Sequence, residues 1–431
     1  MALIFTRGLR LLACSLALAG ALATEASAQV TGSIFDPPAQ PGRSGHPLMT
    51  PQALAAAEAN FGACVAGMWP LAQAKGVSRR AFERYTSGLT PDMKIMDFLD
   101  LQPEFSKPIG DYVNMLVTQR RITRGKEILD RYKPIFDVVE KAYGVDRYAV
   151  TAIWGIESDY GSPSGMGSRP VLRSTATLAC VGRRQEFFRD EFIATLQILD
   201  KGDVPADHLK GSWAGAFGPT QFMPTSFQRF AVDFDGDGKR NVVDSIPDII
   251  ASTANNLKLD GWEFARPWGY EVDLPKGFDY RFVDRSRKMA LSQWAALGIK
   301  RPGGKPFPRP TETAFLLLPA GANGPAFLMM QNFGAILKYN PADAYALAIG
   351  HLADRLRGGG AFAQSWPDEP ALSRSERFEL QNRLVQRGYD IGNVDGILGQ
   401  KTRVAVQDFQ IRNGMLPDGY PSANVLQTLR R

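Results

Sequence analysis

Between about Pro51 and Tyr160, apolar residues recur three and four positions apart. In RRITRGKEILDRYKPIFDVVEKAYG, Ile128, Tyr132, Ile135, Phe136 and Val139 follow this spacing, which predicts amphipathic helices from about Pro51 to Tyr160. Pro134 lacks an amide donor and is expected to break or restart one of them. Asp146 is placed to cap the next helix, and Gly161 to stop it. The period changes over residues 262–320. There, WEFARPWGYEVDLPKGFDYRF and TETAFLLLP hold short β-forming runs between Pro and Gly, which predicts a small β insertion. Helical patterning is expected to return at GPAFLMMQNFGAILKYNPADAYALAIGHLADRLR.

Residues 358–375, GGGAFAQSWPDEPALSRS, predict a linker from their Gly, Pro and polar content. Residues 376–431 carry their own apolar pattern. Leu380, Leu384 and Val385 are expected on one helix, Val404, Val406 and Phe409 on a second, and Val425, Leu426 and Leu429 on a third. That is enough for a small independent three-helix domain. The expected fold class is therefore mainly α: a helical body over 51–357 with a β insertion, then a C-terminal helical module.

The N-terminus reads differently. Arg7 and Arg10 precede the apolar run LLACSLALAGALA, and Ala26-Ser27-Ala28 forms a small-x-small cleavage pattern. This is the layout of a signal peptide over 1–28, followed by a flexible Pro/Gly/Ser-rich leader over 29–50. The run is too short for a permanent bilayer span. Leu11-Leu12-Ala13-Cys14 loosely resembles a lipobox, but no apolar core precedes Cys14. An exported, periplasmic protein without a transmembrane anchor in its mature form is expected. Cleavage would remove two arginines and Glu25, taking the net charge from +6 to +5. Such mild basicity suits an anionic polymer. No Lys/Arg run alternates with aromatics, so nucleic acid is not an expected partner. Cys64 and Cys180 remain; in an oxidising compartment they either bridge, the expectation here, or stay as two buried thiols.

The candidate chemistry starts at AIWGIESDYG, residues 152–161. One turn before Glu157 on a helix stand Ile153 and Trp154. A carboxyl packed on apolar surface is costly to ionise, so it can keep a proton near neutral pH and donate it to a leaving group. A helix-terminal carboxylate facing solvent is the alternative. Asp159 lies two residues on, facing another direction, and is a poor partner for paired-carboxylate chemistry. In GSWAGAFGPTQFMPTSF, small residues allow close backbone approach, while Ser212 and Gln221 offer polar groups and Trp213 and Phe222 flat faces for sugars; a Gly-rich turn between core helices is the alternative. DFDGDGKRNVVD fits a calcium loop, with Asp233, Asp235 and Asp237 as ligands, Gly238 at the turn, the Lys239 carbonyl, and Asp244 or Asp248 closing the shell. A solvated Asp/Gly loop is the other reading. His46, His208 and His351 are scattered, leaving no zinc helix motif, and neither a G-x-S-x-G nor a Walker sequence is present.

In this order, WGIESDYG, AGAFGPTQFMPTSF, VDFDGDG and KYNPADAYALAIGHLADRL resemble the lytic murein transglycosylase B family, from about Cys64 to Arg357. The resemblance implies a lysozyme-like catalytic domain that cleaves the MurNAc–GlcNAc β-1,4 bond of peptidoglycan without water. One carboxyl acts as acid and then as base, leaving a 1,6-anhydromuramyl end. It implies Glu157 as that carboxyl, and Tyr112, Ser212, Gln221, Phe222, Tyr339, Asn340 and Tyr345 along the sugar cleft. It further implies no cofactor for the chemistry and a structural Ca2+ on the Asp-rich loop. Phe217 replaces a common Met at the cleft wall. Cys180 stands where an aromatic is more usual, which favours a subgroup-specific bridge to Cys64. GYDIGNVDGILGQKTRVAVQDFQ, with Asp395-Gly396, Gly399 and Thr402, resembles the peptidoglycan-binding type 1 module, implying a wall anchor that raises local substrate concentration. The remaining alternatives are a water-using muramidase and a non-catalytic, calcium-stabilised wall-binding scaffold; a Glu at 157 favours an enzyme.

Overall fold

The structure, a computed structural model, describes residues 47–99 and 107–431. The expected signal peptide, most of the leader and His46 lie outside the described residues. The helix Arg147–Ser158 forms the axis of the body: every residue from Ala149 to Ser158 is buried. It packs lengthwise on the helix Asp343–Leu356 and against Gln119–Arg131. Its start is as expected, with the Asp146 carboxylate accepting the Tyr148 amide at 2.7 Å. Its stop is not. The helix ends at Ser158, and Asp159 (φ 50°), Tyr160 (φ 60°) and Gly161 (φ 75°) all turn left-handed. An Asp tolerates that conformation better than most side chains, so the turn begins before the expected glycine. Pro134 restarts a helix as the second residue of Lys133–Tyr143, where its missing amide costs nothing.

The β insertion is a four-stranded antiparallel sheet in the order β3-β6-β5-β4. Its strands are β3 (Gly269–Val272), β4 (Met289–Ala290), β5 (Thr313–Leu317) and β6 (Ala326–Met329); β1 (Arg169–Pro170) and β2 (Lys210–Gly211) pair separately. Residues 326–329, expected to be helical, form β6, and the helix begins only at Gln331. This strand is central and buried on both faces, so its sequence is a continuous apolar run. Periodicity cannot distinguish such a run from buried helix.

The C-terminal module consists of helices Arg374–Gln386, Gln400–Arg412 and Ala423–Arg430. Its first helix opens with a capping box between Ser373 and Glu376, inside the expected linker. Val385 and Val404, expected in its core, are 45% and 52% exposed, while their near neighbours Leu384 and Val406 are buried; one or two residues of helix turn a side chain to another face.

The expected linker is not a free tether. Phe362 and Trp366 pack on the body, and the Ala363 and Gln364 amides each donate to the Glu271 carboxylate at 2.8 Å. Gly110 leaves room for Trp366, since a Cβ there would meet the indole at 2.5 Å. Leu372 already belongs to the module's core. The module itself docks on the sheet domain: Gln407 donates to the Tyr280 carbonyl at 3.0 Å and Arg403 to the Pro319 carbonyl at 3.1 Å, while Asp418 accepts the Ala322 amide at 3.0 Å.

Cys64 and Cys180 are joined by a disulfide across 116 residues, tying the N-terminal helices to the helix Val171–Cys180. Replacing both with Ser should destabilise folding by about 2–4 kcal/mol through the larger unfolded ensemble. Thermal unfolding would show this as a lower midpoint, with reduced wild type matching the double variant.

His351 is 6% exposed and its ring stacks on Phe362 with centroids 3.8 Å apart. Burial, helped by Arg355, pushes its pKa down to about 4. Below pH 6.5 the unfolded chain therefore binds a proton that the fold refuses, and stability falls as pH drops from 6.5 towards 4, by up to about 3 kcal/mol. His351→Leu should flatten that acid limb in urea unfolding measured at pH 7 and 4.5.

Candidate active site

Glu157 sits in the last turn of the axial helix and is 7% exposed. Tyr345, from the packed helix Asp343–Leu356, donates its hydroxyl to Glu157 Oε1 at 2.6 Å. Burial first, and then the Glu157 charge, push the Tyr345 and Tyr339 pKa values well above the usual phenol range. Both hydroxyls thus stay protonated, and Tyr345 remains a donor. Tyr112 lies close enough to Tyr345 to add to the same push. Tyr339 stacks on Tyr345 at 6.5 Å and 10°, meets Phe222 edge-on at 6.4 Å, and donates to the Thr220 carbonyl.

The loop after β2 is fastened to the end of the Glu157 helix. The Ser158 hydroxyl donates to the Pro219 carbonyl at 2.5 Å and accepts the Gly161 amide at 2.8 Å. Gly218 (φ 74°) runs so close to its neighbour that a Cβ would meet the Val242 carbonyl oxygen at 2.5 Å. Gln221 is also left-handed (φ 52°); its Nε2 donates to the Gly218 carbonyl at 2.9 Å. Its Oε1 is buried and accepts no hydrogen bond from any described group.

The other expected residues separate. Ser212 Oγ accepts the Ala216 amide at 3.1 Å and shapes the loop. Asn340 is half-buried and accepts the Ala342 amide at 3.2 Å, fixing the turn before the Tyr345 helix. Trp213, expected as a sugar platform, is 5% exposed and stacked on Phe98 in a separate core. Phe217, expected at the cleft wall, is fully buried against Phe227.

Asp159 turns away from Glu157 to Arg120, Arg121 and Arg124, at 3.1, 3.4 and 3.4 Å. This cluster was missed from sequence; its one signal was RRITR, where Arg120 and Arg124 lie a turn apart. Gly155 matters to the same corner, since a Cβ there would strike the Tyr160 ring at 2.6 Å.

In the Asp-rich loop, carboxylate oxygens of Asp233, Asp235 and Asp248 lie within 4.8 Å of one another. Asp248 is fully buried and accepts the Phe234 and Asn241 amides at 2.7 Å each. The structure does not bring the whole expected set together. Asp237 accepts the Lys239 amide at 2.8 Å within its own turn, and Asp244 faces His208 Nδ1 at 3.0 Å and Asn241. Three converging carboxylates fit a hard divalent cation such as calcium, with Asp248 rather than Asp244 as the closing acid.

A family model for the transglycosylase SLT domain matches residues 60–354, and a peptidoglycan binding domain model matches 373–429. Membrane-bound lytic murein transglycosylase B of Escherichia coli (strain K12) is 32% identical over 248 residues, which is 56% of this chain. The match spans 65% of that relative's length, just under two thirds. SltB3 of Pseudomonas aeruginosa, solved with NAG-anhNAM-pentapeptide, is 46% identical with a TM-score of 0.82, covering 86% of this chain and 99% of that one. Slt35 of Escherichia coli, a lytic transglycosylase solved with calcium, is 27% identical with a TM-score of 0.58, over 69% of this chain and 92% of that one. The fold is accordingly mainly α, with a lysozyme-like body, small sheets and a helical C-terminal domain. Among the described residues no helix is long and apolar enough to cross a membrane.

Arg121 is 2% exposed, and burial lowers its pKa while Asp159 opposes the shift. Asp159→Asn would take away the carboxylate facing this buried guanidinium. It should cost about 3 kcal/mol of stability, read by urea unfolding.

Proposed function

The chain belongs to the transglycosylase SLT domain family, and from that premise we propose that it is an exported, periplasmic lytic transglycosylase that cleaves the MurNAc–GlcNAc β-1,4 bond of peptidoglycan. The observation that carries this reading is the buried carboxyl of Glu157, hydrogen-bonded by Tyr345, while the nearby Asp159 is committed to three arginines.

In the proposed reaction Glu157 donates its proton to the glycosidic oxygen as the C1–O bond breaks. The muramyl N-acetyl oxygen closes on C1 and holds the developing charge. The Glu157 carboxylate then takes the proton of the same sugar's 6-hydroxyl, whose oxygen attacks C1 and displaces the acetamido oxygen. The 1,6-anhydro ring closes, no water enters, and Glu157 ends protonated as it began. Tyr345 orients the carboxyl throughout; with Glu157 charged, its hydroxyl also stabilises the base. Tyr339 offers an apolar wall for a sugar ring, with Phe222 packed edge-on against it and Tyr112 buried beside Tyr345, and the Gln221 side chain, whose Oε1 has no partner among the described residues, turns to accept from a sugar hydroxyl or amide. Ser212 and Asn340 act by shaping the two loops that frame the cleft.

Asp233, Asp235 and Asp248 would hold a structural Ca2+, a reading supported by their hard oxygen donors and by the calcium complex of Slt35. The ion would stiffen the loop packed behind Gly218 and supply no step of bond cleavage. The C-terminal domain is proposed to bind the same wall polymer, in keeping with its family match and with the pentapeptide-bearing ligand of SltB3.

The test is mass spectrometry of purified peptidoglycan digested by the mature protein beside Glu157→Gln. Anhydro-ended products are expected from wild type, with the rate reduced about 10^2- to 10^4-fold in the variant, as for loss of a general acid–base group. Reducing ends would overturn the water-free reaction in favour of hydrolysis. Intact strands from both proteins, with wall binding retained, would favour a scaffold.

A further inference from the structure

Between the body and the C-terminal module lies a cavity of about 250 Å3 that the cleavage reaction does not use. Lys107, Arg285, Arg377 and Arg403 line it, against Asp343 as its one acid. Arg377 donates to the Leu372 and Gly396 carbonyls at 2.9 and 2.8 Å, and Arg403 to the Pro319 carbonyl, so both guanidinium groups are held in place by backbone. Arg285 bonds Asp343, but its buried Nε has no hydrogen-bond partner among the described residues. Two helices also begin at this cavity, Asp343–Leu356 and Gln400–Arg412, and neither start is capped by a side chain. Four cations against one acid, beside two uncapped amide turns, suit the cavity to an anion.

The cavity and the cleft share two helices. Asp343 lines the cavity, and Tyr345, two residues on and turned to another side of the same helix, holds Glu157. Ile109 lines the cavity and Tyr112 lies beside Tyr345, one turn along the helix Ile109–Leu116 and on the same face. One helical turn is about 5 Å, while a five-residue peptide extends to about 17 Å. A five-residue peptide carried by a sugar in the cleft is thus longer than the helical turn that separates Ile109 from Tyr112.

We infer that this interdomain cavity seats the carboxylate-bearing stem peptide of the muramyl sugar, making the C-terminal module one wall of the substrate site. The inference rests on the proposed cleavage of muramyl strands. It also gives the docked linker a purpose: Phe362, Trp366 and the Glu271 bonds fix the module's distance from Glu157, so the cavity keeps its width.

The test uses the full mature chain and Gln400→Glu. Gln400 is exposed, lines the cavity at the first turn of its helix, and belongs to no part of the proposed catalytic machinery. Rates are measured on glycan strands with intact stems and on the same strands stripped of stems by an amidase. The expected result is a KM about tenfold higher for the variant on stem-bearing strands, with kcat unchanged, no change on stripped strands, and Gln400→Asn behaving as wild type (a tenfold change is about 1.4 kcal/mol). Equal losses on both substrates, or none on either, would overturn the inference. Calorimetry with free stem pentapeptide separates this outcome from failure of the proposed reaction. Binding by wild type, lost when the peptide carboxylates are amidated, supports the inference even if neither strand is cleaved. No binding, or binding matched by inorganic phosphate at equal concentration, overturns it.

Discussion

A carboxyl group is kept out of bulk water at the end of a helix that is itself buried, and the rest of the body is arranged around that placement. Glu157 can sit there because its helix is buried from Ala149 to Ser158 and is gripped lengthwise by the helix carrying Tyr345. The Tyr345 hydroxyl meets the carboxyl directly, and Tyr339 stacks behind it. A buried acid without a hydrogen-bond donor would be a strong liability; with a fixed donor it becomes a group whose proton can be moved.

The same burial explains why the turn after Glu157 is so heavily constrained. Three consecutive left-handed residues reverse the chain, and Ser158 joins that reversal to the loop bearing Gln221. Asp159 faces three arginines on a neighbouring helix instead of the cleft. Segregating the two acids matters chemically, because a second carboxylate beside Glu157 would alter its charge and offer a different reaction. Pairing Asp159 with arginine keeps its charge away from the Tyr345–Glu157 pair.

The C-terminal module adds a second constraint. A module on a free tether would raise local substrate concentration and little else. Here the connecting segment is bonded to Glu271 and packed on the body, and the module's second helix reaches backbone carbonyls of the sheet domain. That arrangement fixes orientation as well as proximity, and it creates a basic cavity that neither part has alone.

Local pattern along the chain was enough to find the helical body, the position of the β insertion to within one strand, the C-terminal module and the candidacy of Glu157, since each rests on periodicity, turn residues or a short motif. It could not decide β6, whose apolar run is double-sided, nor Val385 and Val404, which are one or two positions off a buried face. It placed Trp213 at the sugar cleft from chemistry alone, whereas packing on Phe98 takes that ring into a core. The Tyr345–Glu157 bond spans 188 residues, the Asp159 cluster joins two helices, and the fold of the chain brings Asp248 beside Asp233 and Asp235. Only the tertiary structure settled these, because each depends on which surfaces meet once the apolar faces are buried. Local pattern says which face of a helix seeks the core; it carries no information on what will be waiting there.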